Sequence, residues 1–200
     1  TVVDSNVFYR NTRDVMTEVP HGPITFMNNV FASEFSFDDY AQGAAFVNNL
    51  FAGRIRHTAV LDRSTPYHFP HATDVAGEAF VYGGDDRYIN NLFLAVGDSA
   101  KPLRTAAGAA GMAEAGTAFF DGYPRSLEEY EQLIEETGLG DEELYRSVKQ
   151  PALLASNAYV SGAKAASGEA EAVVSGDGSS LALRETDDEL WMTVSLPESI

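Results

Sequence analysis

Asn48-Asn49-Leu50-Phe51 is one form of a phrase that this chain repeats, as Ser5-Asn6-Val7-Phe8, Asn28-Asn29-Val30-Phe31, Asn90-Asn91-Leu92-Phe93 and, more divergently, Ser156-Asn157-Ala158-Tyr159. The second residue of each is asparagine, at 6, 29, 49, 91 and 157, so the gaps are 23, 20, 42 and 66 residues. These approximate one, one, two and three multiples of a unit of roughly 20–23 residues, a period in the range of stacked-coil solenoids. The runs that lead into the asparagines, Ile24–Met27, Ala44–Val47 and Arg87–Ile89, are apolar, β-branched or aromatic and read as strands a few residues long. Asparagine suits the corner that follows, because its short side chain tolerates the left-handed backbone region and bonds nearby backbone groups. Corner asparagines stacked in register can also share hydrogen bonds from coil to coil, and the Phe or Tyr two places on becomes an inward knob. A β-sandwich would instead place strands every 8–12 residues without one recurring phrase. The pattern predicts an all-β chain built as a right-handed parallel β-helix over residues 1–165.

Two departures from the coil pattern are expected. Gly108–Gly116 is small and flexible in composition and reads as loop. A helical insertion spans about 121–150: Ser126-Leu127-Glu128-Glu129 has capping-box form, Leu127, Tyr130, Leu133 and Ile134 share a face, and Gly138 stops the helix. Asp141 is placed to cap a second short helix that Pro151 ends. The Glu128–Glu136 run reads as that insertion's solvated face. Residues 166–200 read as a small, incomplete antiparallel β appendage: Ala172–Val174, Ser180–Arg184 and Glu189–Leu196, turned at Gly176-Asp177-Gly178 and Thr186-Asp187-Asp188, with Trp191 packing that end.

The 200 residues carry 30 acidic against 13 basic side chains, a formal charge of −17, and no cysteine. So acidic a chain lacks the clustered positive charge that nucleic acid or an anionic membrane surface requires. Disulfides contribute nothing, and no apolar run is long enough for membrane insertion. The acid-rich, lysine-poor profile fits adaptation to high salt. Strand-like sequence starts at Thr1 without a capping element and the chain stops just after another strand, so it reads as a piece of a longer polypeptide.

Chemistry is expected in three loops between coils. The first holds Asp14, Glu18 and His21; the second holds Tyr67, His68 and His71 in a proline-stiffened stretch; the third holds Asp85, Asp86 and Arg87 after Gly83-Gly84. Equivalent corners of successive coils lie about 4.8 Å apart, so these side chains can converge on one groove. Two carboxylates flanking a sugar ring can serve as acid and base or nucleophile, and histidine can move protons near neutral pH. Tyr40 and Tyr67 can stack on sugar faces. His68 and His71 lack a third ligand at diagnostic spacing, so no metal site is expected. Asp38, Asp39, Asp62 and Asp74 read as solvated carboxylates. No nucleophile elbow, phosphate loop or dinucleotide fingerprint appears.

Glu18-Val19-Pro20-His21-Gly22-Pro23, Gln42–Gly53, Thr65–Thr73 and Gly84–Asn91 together resemble bacterial β-helix proteins of carbohydrate metabolism, in particular glycoside hydrolase family 141. The likeness is good over residues 5–97 and weaker from Ser156 onward. The wider group tends to carry Asn, His and Ser where this chain has Pro20, Asn48 and Ala72, whereas Glu18, His21, Gln42, His68, His71, Asp85 and Arg87 match. The resemblance implies a glycosidase without a cofactor, acting on an oligo- or polysaccharide outside the cell or in its envelope. Glu18 and Asp85 are the expected catalytic pair, and His21, Gln42, Tyr67, His68, His71 and Arg87 the substrate-binding set. A polysaccharide lyase on the same scaffold, which usually uses calcium or an Arg/Lys base, and a non-catalytic glycan-binding solenoid are the alternatives.

Overall fold

The structure is a computed structural model that describes residues 1–69, 71–100, 103–104, 112–176 and 178–200. The chain is mostly β, and its strands alternate about the asparagine phrases. It opens with β1 (Val2–Asp4) and β2 (Val7–Phe8), then β3 (Val15–Met27) and β4 (Val30–Phe31), then β5 (Phe35–Val47) and β6 (Leu50–Phe51). β7 (Arg54–His57) is followed by β8 (Val60–His68) and β9 (Val75–Val81), and the pattern resumes with β10 (Asp86–Ile89) and β11 (Leu92–Leu94). After a short antiparallel pair, β12 (Leu103–Arg104) with β13 (Met112–Ala113), come helices α1 (Leu127–Thr137) and α2 (Asp141–Ser147). β14 (Ala152–Ala155), β15 (Ala158–Val160), β16 (Val173–Ser175), β17 (Ser180–Glu185) and β18 (Leu190–Ser195) complete it.

Two parallel sheets carry the architecture. One orders β1-β3-β5-β10-β14 with β7 paired to β5, and the other orders β16-β15-β11-β6-β4-β2. The registers equate the repeats: Phe26 pairs with Phe46 and Phe46 with Tyr88, while Phe8, Phe31, Phe51, Phe93 and Tyr159 occupy successive partner positions. Their rings stack, with centroids 5.3, 4.8, 5.1 and 4.9 Å apart along that second series. Each offset pair adds on the order of 1 kcal/mol to the area it buries, and Phe31, Phe46, Phe51, Tyr88, Phe93 and Tyr159 are fully buried.

The two residues of each asparagine phrase divide the corner's work. The first, Ser5, Asn28, Asn48, Asn90 or Ser156, takes the left-handed conformation with φ between 55° and 58°. The second builds the ladder. Asn29 Nδ2 donates to Asn49 Oδ1 at 3.1 Å, Asn49 Nδ2 to Asn91 Oδ1 at 3.0 Å and Asn91 Nδ2 to Asn157 Oδ1 at 2.9 Å. Each of these amides also donates to a strand carbonyl, as Asn49 does to Phe26 O at 2.9 Å, so buried backbone at the corner is satisfied.

The caps expected of α1 are in place, and several other expectations are corrected. The strands before the corners are longer than apolar runs suggest, 13 residues in β3 and β5, because parallel pairing between them continues the backbone ladder through polar segments. Ser126 caps α1, accepting from Glu129 N at 3.1 Å, and Gly138 ends it at φ 60°. Only Tyr130 and Ile134 of its expected face are half-buried, whereas Leu127 and Leu133 are exposed. Gly140, rather than Asp141, occupies the cap of α2. Val173–Ser175 joins β15 in parallel, so the parallel sheet reaches past residue 166; β17 and β18 form the antiparallel hairpin. Trp191 is exposed, with the Arg184 guanidinium over its ring, instead of packing a core. Residues 108–111 and Asp177 lie outside the described residues. Among the described residues, no helix is long and apolar enough to cross a membrane.

Candidate functional site

Three neighbouring strands break their regular pairing at one level. β3 bulges between Glu18 and His21 and again between His21 and Ile24, with Val19 at φ 55°. Beside it, Gly43 of β5 sits at φ 81°, and a Cβ on Gly22 would fall 1.9 Å from Gly43 O. That close approach requires glycine. Gly43 N donates to Gly84 O at 3.1 Å, and Asp85, just ahead of β10, is left-handed at φ 53°. The irregularities leave a cleft of about 450 Å³ on the outer sheet face. His21, Gln42, Asp85 and Arg87 line its floor, Tyr67 and His68 rise from the β8–β9 excursion, and Tyr145 and Gln150 close the other side.

His21 is held in one state. Its Nε2 lies 3.1 Å from Ala79 O and 3.2 Å from Thr65 O, so that nitrogen carries the proton. Thr65 Oγ1, 2.9 Å away, spends its own hydrogen on Val19 O. Nδ1 is therefore the acceptor, and Gln42 Nε2 donates to it at 2.8 Å. Burial pushes the His21 pKa down, against smaller contributions from the two carbonyls, so the imidazole is neutral and positions Gln42. Tyr67 meets the His21 ring edge-on at 6.1 Å, and Tyr145 lies tilted against Tyr67 at 6.2 Å, giving the cleft an aromatic wall. On the floor, Arg87 Nη1 reaches both Asp85 O at 2.9 Å and Asp85 Oδ1 at 3.1 Å. Both side chains are about half exposed, which leaves hydrogen-bonding capacity toward the cleft.

Six of the eight expected site residues thus line one cleft. His71 lines a second hollow with Phe69 and Thr73 that shares Gly22, Pro23 and His68 with the first, so the two are continuous. His68 Nδ1 lies 3.0 Å from Thr73 O, which fixes its ring between them. Glu18 lines neither: it faces a separate hollow with Met16, Tyr40 and Arg63, where Arg63 Nη2 donates to its Oε1 at 2.6 Å. Tyr40 lies in that same hollow and accepts from Arg56 at 2.7 Å. The structure therefore does not bring Glu18 and Asp85 into one cleft.

Sequence reasoning missed that the two adjacent acids of β5 are enclosed, on opposite faces of the strand. Asp38 and Asp39 are buried, not solvated. Arg13 and Arg56 neutralise Asp38 at 2.6 and 2.7 Å. Asp39 instead accepts from Thr17 Oγ1 at 2.6 Å and lies 3.3 Å from His57 Nδ1, while Asp86 accepts from Ala44 N at 2.9 Å. The available signal was position: in Phe35-Ser36-Phe37-Asp38-Asp39-Tyr40 one of two adjacent acids must face inward.

No protein-family model and no curated protein matches the chain. A solved structure of XylC in complex with xylose matches 98% of it at 39% identity and a TM-score of 0.83. The chain has the fold of a segment of XylC. It spans 29% of the XylC chain.

Proposed function

We propose that the outer cleft recognises carbohydrate and that the chain is part of a glycoside-hydrolase-type protein built on a right-handed parallel β-helix. The observation that carries this is the match to XylC, a protein solved with xylose, at an identity that extends beyond shared architecture. The in-register parallel pairing of successive repeats supports the helical winding, since crossovers between parallel strands of one sheet are almost always right-handed. The cleft's chemistry supports a sugar. Asp85 accepts from hydroxyls, Arg87 and Gln42 donate to them, and Tyr67 supplies a flat apolar face, the few convergent polar groups that orient a small ligand. The hollow shared through Gly22, Pro23 and His68 gives room for a second sugar unit, so an oligosaccharide fits the surface better than a monosaccharide.

In this reading Asp85 is the carboxylate at the sugar, with Arg87 beside it orienting it. Glu18 is not its partner. Among the described residues that line the cleft, Asp85 is the carboxylate. The test is calorimetric titration of the full-length protein with xylose and xylo-oligosaccharides, alongside a reducing-end assay on the same glycans. Saturable binding that strengthens with chain length, with release of reducing ends, is expected; no binding across the panel would overturn the reading.

A further inference from the structure

Directly beneath the cleft, on the inner face of the same strands, three ionisable side chains meet. Asp39 of β5 pairs in register with His57 of β7, and Asp86 opens β10 on the face opposite Asp85 and Arg87. One ligand-capable atom from each of Asp39, His57 and Asp86 lies within 4.8 Å of the others, and all three residues are buried. Among the described residues the cluster leaves polar atoms unanswered. Asp86 Oδ1 accepts from Ala44 N, but Asp86 Oδ2 has no partner, nor do His57 Nε2 and the Tyr88 hydroxyl. Buried groups in that state are rare and costly unless something else satisfies them. Among the described residues no guanidinium or ammonium is bonded to these atoms: Arg13 and Arg56 pair with Asp38, and Arg87, which follows Asp86, pairs with Asp85.

We propose that Asp39, His57 and Asp86 hold a divalent transition-metal ion inside the fold, a structural ion that fixes β5, β7 and β10 under the cleft. Two carboxylates with one imidazole suit zinc, manganese or iron(II), whereas calcium seeks six to eight oxygen ligands. Three protein ligands leave a further position, toward which Tyr88 is the available oxygen. The ion would neutralise two acids that otherwise repel each other in a dry interior. Gly83 keeps the site compact, since a Cβ there would fall 2.1 Å from His57 Nε2.

The proposal does not depend on the sugar reading, and its test needs no substrate. The full-length protein is dialysed against EDTA, reloaded with zinc, manganese, calcium or magnesium in turn, and measured for bound metal by plasma mass spectrometry and for Tm by calorimetry. The expected result is about one equivalent of zinc or manganese retained after desalting, with a Tm rise of roughly 5 °C at a hundredfold excess over Kd. Asp86→Asn, which keeps shape and one hydrogen-bonding oxygen, abolishes both retention and the Tm response, and His57→Gln serves as the second variant should the first fail to fold. Three results would overturn the proposal: no metal retained by the wild type; retention unchanged in Asp86→Asn or His57→Gln; or an Asp86→Asn protein as stable as the wild type with neither responding to metal, which is what a shared proton or a buried water would give.

Discussion

Gln42 Nε2 donates to His21 Nδ1 at 2.8 Å across adjoining strands, and this bond, with the two carbonyls facing Nε2, fixes the imidazole in its neutral form. Burial lowers the His21 pKa below its usual 6.5. A histidine depressed in the folded state contributes stability fully present above the unfolded pKa and lost as pH falls through it toward the folded value. Urea unfolding of wild type and His21→Gln should therefore show a stability gap that is flat from about pH 9 to 7.5 and shrinks toward pH 5. Carboxylates titrate alike in both proteins and cancel. A gap independent of pH would refute the neutral, buried assignment.

Asn48 and Asn49 are adjacent and chemically identical, yet their substitutions should differ several-fold. Asn49→Ala removes the acceptor of Asn29 N and Nδ2 and the donor to Phe26 O, all buried. Leaving such groups unpaired costs about 3 kcal/mol in total. Asn48 contributes a left-handed φ of 55° and one exposed contact from Asn90 Nδ2 at 2.7 Å. Asn48→Gly keeps the backbone permissive and should cost below about 1 kcal/mol. Chemical denaturation of the two variants checks the ratio; equal losses would contradict the division of labour within the phrase.

The repeats made the parallel scaffold legible because a ladder position tolerates only asparagine and an inward knob only a ring of similar size, so the same letters return at the same spacing. Cleft residues were legible in type, through the His, Asp and Arg loops, and six of the eight in grouping, but the place of Glu18 was not. Glu18 and His21 are three residues apart, and the bulge at Val19 sends them to different hollows. Nothing in the letters announces that bulge except Pro20. The inner cluster was hidden for a different reason: an Asp-Asp pair in an acidic chain reads as solvated until the strand's alternation is known through residue 39.

That separation of Glu18 from the cleft gives a direct contrast. Asp85→Asn should weaken xylo-oligosaccharide binding about tenfold or more, since a charged acceptor to hydroxyls is worth about 1.5–3 kcal/mol. Glu18→Gln should leave the same affinity within about twofold and, because its ion pair with Arg63 is exposed on both sides, alter stability by less than about 1 kcal/mol. Titration calorimetry of both variants reads the contrast, and the opposite ranking would return Glu18 to the sugar site.

Gly83 and Gly97 both occupy positive φ, at 103° and 55°, but only Gly83 is hemmed in. A Cβ on Gly83 would lie 2.1 Å from His57 Nε2, whose ring is wedged against Phe120 and Tyr123 at 5.4 and 6.0 Å and cannot retreat. Nothing lies within 4 Å of a Cβ on Gly97. Gly97→Ala therefore costs only its backbone strain, about 1 kcal/mol, whereas Gly83→Ala adds overpacking of a rigid core and should exceed about 3 kcal/mol. The displaced imidazole would also move relative to Asp39, so the Gly83→Ala protein should lose its zinc or manganese response along with its stability. Gly97→Ala should keep that response intact. Denaturation and metal reloading on the same two variants therefore separate a local packing loss from the loss of the His57 environment, and a Gly83→Ala protein as stable as Gly97→Ala would mean that the ring has room to move.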